Sequence, residues 1–93
     1  MADRPPPPFD TSLSEQAQDD LSRWPELASG TNAVVLRAAK QMRQMLDEGK
    51  NLAADLHGRR EDLTVRVSLI PPNGVRIEQV ASGGPVPEGA LTV

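Results

Sequence analysis

The sequence predicts an α+β fold: a short helix, a long amphipathic helix, then a C-terminal antiparallel β-hairpin packed on the helices. Three observations carry that expectation. Apolar residues recur at helical spacing from Leu13 to Trp24. They recur again, at heptad spacing, from Val35 to Leu56. On either side of "IPPNG" the period changes to two, the signature of half-buried strands.

In chain order, "RPPPPF" favours extended polyproline II, which lacks the N–H groups a sheet ladder needs. Residues 1–10 are therefore expected to form a disordered Pro-rich leader. The alternative role for such a stretch is as a ligand for an aromatic groove. The first helix follows. Ser12 with Glu15 three residues later fits a capping box, and Leu13, Ala17, Leu21 and Trp24 form its apolar stripe. Pro25 disfavours helical geometry at Trp24 and should end the helix there.

"ASGTN" reads as a breaker, with Ser29 or Thr31 placed to cap a second helix. In that helix Val35, Ala38, Met42, Met45, Gly49, Leu52 and Leu56 step by alternating threes and fours, an a/d seam. The register persists across Gly49, which favours one continuous helix closed by Gly58. The competing expectation is a break at Gly49.

In "LTVRVSLI", Leu63, Val65, Val67 and Leu69 alternate with Thr64, Arg66, Ser68 and Ile70. Beyond the turn Val75 and Ile77 alternate with Arg76 and Glu78. A five-residue loop from Ile70 to Gly74 sets Leu69 opposite Val75, Val67 opposite Ile77 and Arg66 opposite Glu78. That register keeps one face apolar and pairs opposite charges. Residues 82–93 have the composition of a flexible tail, so a single domain is expected over residues 11–81.

Composition narrows the function. With 93 residues and no cysteine, there is neither a disulfide framework nor a thiolate metal site. Phe9 and Trp24 are the aromatics, so aliphatic and methionine side chains must supply a small core. A core of that size favours self-association, and a homodimer is expected. The formal net charge is −3, and residues 1–26 carry six acids against two bases. No apolar h-region or membrane-length apolar run is visible, so a cytoplasmic location without membrane contact is expected.

No catalytic, cofactor or metal site is expected. His57 has no partner at metal-ligand spacing and is assigned to a helix end, where it complements the dipole. Asp19-Asp20 and Asp47-Glu48 are sequence neighbours about 100° apart on a helix, which cannot converge as an acid/base pair.

The function expected is therefore non-enzymatic regulation by binding a heterologous protein, as an inhibitor, antitoxin, anti-activator or accessory subunit. The candidate partner and dimer surface is the seam of Val35, Met42, Met45, Gly49, Leu52 and Leu56. The alternative is a small DNA-binding regulator of winged-helix-like form. Arg37, Lys40, Arg43, Arg66 and Arg76 would then be its nucleic-acid contacts.

Overall fold

A computed structural model describes residues 9–49 and 52–93. It comprises β1 (Asp10–Leu13), α1 (Glu15–Arg23), α2 (Leu27–Arg37), α3 (Ala39–Glu48), β2 (Ala53–Gly58), β3 (Leu63–Ile70), β4 (Gly74–Ser82) and β5 (Leu91–Thr92). The class is α+β, with three helices against a five-stranded mixed sheet ordered β1-β4-β3-β2-β5. The polyproline stretch of residues 5–8 lies outside the described residues.

Phe9 and Asp10, expected within the leader of residues 1–10, belong to the fold. Phe9 is buried, and Asp10 opens β1, which runs parallel to β4 with Asp10 beside Gly74 and Leu13 beside Ile77. Because Asp10–Leu13 is extended, the cap of α1 moves from Ser12 to Ser14. Ser14 Oγ accepts the Ala17 N–H at 3.1 Å and donates to the Glu78 carbonyl at 2.7 Å. One hydroxyl thus starts the helix and ties it to β4.

Trp24 is the C-cap of α1, directly before Pro25. The predicted breaker "ASGTN" is instead helical within α2. Tertiary contact overrides propensity there. A side chain at Gly30 would meet Glu61 and Leu63 at 3.3–3.4 Å, so glycine lets the helix lie close to β3. Thr31 is buried and donates its hydroxyl to the Leu27 carbonyl at 2.8 Å.

The continuous long helix is corrected. It divides at Ala38 into α2 and α3 and stops at Gly49, a left-handed C-cap (φ 66°) whose N–H donates to the Met45 carbonyl. Glycine reaches that conformation without a Cβ clash. Leu52 precedes and Leu56 lies within a strand, β2, which pairs antiparallel with β3.

β3 and β4 are antiparallel neighbours at the centre of the sheet, with Leu69 opposite Val75 and Val67 opposite Ile77. The ladder slips between Arg66 and Val67, so Arg66 faces Gln79 and not Glu78. Arg66 pairs instead with Asp55 of β2 at 3.0 Å, while Glu78 pairs with Arg76 and accepts the Ser68 hydroxyl. Residues 82–93, expected as a flexible tail, contain β5, which runs parallel to β2 with Leu91 beside Leu56. The core lies between one sheet face and the helices, built from Phe9, Val34, Met42, Leu56, Val65, Val67 and Ile77 among others.

Candidate functional site

The seam proposed as a contact surface is mostly interior. Met42 and Leu56 are fully buried, Val35 nearly so, and Met45 and Leu52 pack partly buried against the same core. Gly49 ends α3. Apart from Gly49, which is exposed, these residues pack within the single chain. The apolar residues of the seam pack against the protein's own core.

The five candidate nucleic-acid residues are dispersed by the same break. Arg37, on α2, donates to both Glu61 carboxylate oxygens at 2.9 and 2.5 Å and to the Val93 carbonyl at 3.4 Å. That pairing raises the pKa of Arg37 and holds the Glu61 carboxyl below its ordinary value, chiefly through the hydrogen bonds. Arg43, on α3, lies over the Phe9 ring, 4.9 Å from its centroid, and donates to Asn73. Glu61 is in the β2–β3 turn and Asn73 in the β3–β4 turn, at opposite ends of the sheet. Arg66 and Arg76 are on the sheet's outer face in ion pairs with Asp55 and Glu78. Lys40 is exposed on α3.

His57 is on β2 and not at a helix end. It is only 9 % exposed, and its Nδ1 is 3.2 Å from the Thr64 hydroxyl across the strand pair. This outer face is crossed by residues 83–90 on their way from β4 to β5. Pro85 and Pro87 close a small cleft of about 130 Å³ over Asp55, Thr64, Arg66 and Gln79. The Asp55–Arg66 ion pair lines that cleft beneath the strap.

A larger concavity lies at the α1–α2 corner. A groove of about 430 Å³ is lined by Asp20, Trp24, Glu26, Leu27 and the Val80–Ser82 stretch of β4. Its construction follows from three local facts. Pro25 ends α1, which takes Trp24 out of the helical stripe and leaves it 57 % exposed. Leu27 starts α2 with its N–H on the Trp24 carbonyl, folding the apolar pair back on itself. β1 reaches only as far as Ile77, so the edge of β4 beyond it is left to α1. There the Asp20 carboxylate accepts the Val80 N–H at 3.0 Å, taking over a ladder bond that a strand would make.

The stripe expected on α1 is thereby revised. Ala17 is fully buried and Leu21 partly so, but Leu13 is on β1 at 38 % exposure and Trp24 is exposed. Pro25 was the available signal for Trp24, because a residue just before proline leaves the helical region and with it the helical face.

Among the described residues no cluster of three His, Asp or Glu could hold a metal ion. Among them, too, no helix is long and apolar enough to cross a membrane. Comparison with protein-family models, curated proteins and solved structures found no match to this chain.

Proposed function

We propose that the chain is a small non-enzymatic regulatory protein of the cytoplasm that acts by binding another protein at the Trp24 groove. The observation that carries this is the exposed Trp24 beside Leu27, set against a stretch of β4 edge that β1 does not cover. Large aromatic side chains in such a position are the residues that dominate binding energy at protein interfaces. The roles of inhibitor, antitoxin, anti-activator and accessory subunit each need a surface that binds another protein.

Self-association through the Val35–Leu56 seam is not part of the proposal, since that seam is internal. Nucleic-acid binding is less well supported. Arg37, Arg66 and Arg76 are each paired with a carboxylate, and Arg43 is engaged with Phe9 and Asn73.

The test is affinity isolation from source cells with the wild-type chain and with Trp24→Ser. A stoichiometric complex that the variant loses while keeping its circular dichroism supports the proposal. A complex formed equally well by Trp24→Ser removes the groove from it. DNA affinity falling steeply with salt would replace it with the nucleic-acid function.

A further inference from the structure

Beyond protein binding in general, the geometry points to a particular occupant. We infer that the Trp24 groove takes an extended segment of a partner protein, rich in alternating apolar and basic residues, that adds to β4 as a short strand. The inference rests on the protein-binding proposal above and specifies the chemistry of its site.

The backbone supplies the first argument. Val80 points its N–H towards α1, where Asp20 accepts it, and Gly83 points its N–H back to the Asp62 carbonyl at 2.8 Å. Backbone groups alternate sides along a strand, so in the β3–β4 register the carbonyl of Val80 and both backbone groups of Ser82 turn away from β3, past the end of β1. An outward-facing strand edge is a template for a further strand.

Side chains and charge supply the rest. Every second residue of an added strand projects to one side, which suits the apolar ledge of Trp24 and Leu27. Glu26 and Asp20 line the same groove, and no basic side chain lines it among the described residues. Asp20 is held by Val80, which leaves Glu26 as the carboxylate that meets an incoming lysine or arginine. A basic segment is therefore preferred over an acidic one.

Trp24 is the only tryptophan and there is no tyrosine, so its emission reports the groove directly. The full chain is titrated with a blocked hexapeptide of alternating valine and lysine. Two comparison peptides carry glutamate for lysine, or proline for two of the valines. The expected result is a saturable shift of Trp24 emission to shorter wavelength with the lysine peptide alone. Glu26→Lys should weaken that binding by about tenfold. Asp47→Lys makes the same charge change away from the groove and should alter it by less than about twofold.

Equal binding of the proline peptide overturns strand addition. Equal binding of the glutamate peptide, or equal loss in both lysine variants, overturns the basic segment. No shift with any peptide overturns the inference. It leaves the broader proposal standing if Trp24→Ser still abolishes the isolated complex. A shift that follows the chain's own concentration, without peptide, assigns the groove to a second copy and overturns the heterologous partner.

Discussion

At Gly58 two elements come closer than any side chain permits. A Cβ there would sit 2.3 Å from Val34 Cγ2 and 2.6 Å from Glu61 Oε1. The helix α2 can rest on the end of β2 only because that side chain is missing. Gly58→Ala should therefore cost about 1–3 kcal/mol by overpacking. Urea denaturation checks this, and a loss under about 0.5 kcal/mol would mean the contact yields easily. Gly49 needs glycine for a different reason. Its space is open but its φ is positive, so Gly49→Ala should cost about 1 kcal/mol and Gly49→Asn distinctly less. Glu61 adds a pH dependence. Its carboxyl is held below the ordinary value of 4.5 by Arg37, so its contribution is complete above that value and is lost as pH falls through the lower, folded value. The stability gap between wild type and Glu61→Gln should close below that window. A gap that stays constant with pH would show that the ion pair does not stabilise the fold.

Among the elements, α1 docks on β4 through two side-chain hydrogen bonds. Where the ladder slips at Glu78, the helix replaces a strand. Ser14 gives its hydroxyl to the Glu78 carbonyl and Asp20 accepts the Val80 N–H. Asp20→Ala should leave the amide of the buried Val80 without an acceptor and cost about 1–3 kcal/mol. Faster hydrogen exchange at Val80, with β2–β3 amides unchanged, would locate the effect. The same elements show what could be read from the chain. Alternation in residues 63–69 and 75–77 gave the buried faces directly, because a period of two has no helical equivalent. Residues 53–58 misled. Ala54 and Leu56 do face inward as a strand requires, but Leu52 and Leu56 also extend the helical spacing, and Ala and Leu are helix formers. Pairing with β3 decided the outcome, and such long-range pairing leaves little local trace. β1 and β5 were hidden for a similar reason. Strands of four and two residues are too short to display a period. The groove at Trp24 was legible only through Pro25, since its far wall comes from β4.

For the whole molecule, the open face of the sheet is spanned by a strap that ends in β5. Val93 anchors it, donating its N–H to the His57 carbonyl at 2.8 Å and accepting the Arg59 N–H at 3.2 Å. Leu91 and Val93 also pack, partly buried, against the core. Removing residues 83–93 should then cost about 2 kcal/mol of apolar burial and lower Tm by on the order of 10 °C. An unchanged Tm would show that the strap only rests on the sheet.

The parallel pairing of β1 with β4 has a consequence for how the chain reaches this state. Asp10 is beside Gly74, and the Ser14–Glu78 hydrogen bond closes a separation of 64 residues. The β3–β4 pair closes a loop of a few residues, at far smaller entropic cost. Loop closure therefore favours early formation of the central pair, with β1 docking onto β4 afterwards. Topology of that kind places folding towards the slower end for a chain of this size. Substitutions in β1, such as Thr11→Ala, should accelerate unfolding and leave the folding rate nearly untouched. In the cell, a ribosome-bound chain would carry β1 and Phe9 exposed until residues 74–77 had emerged.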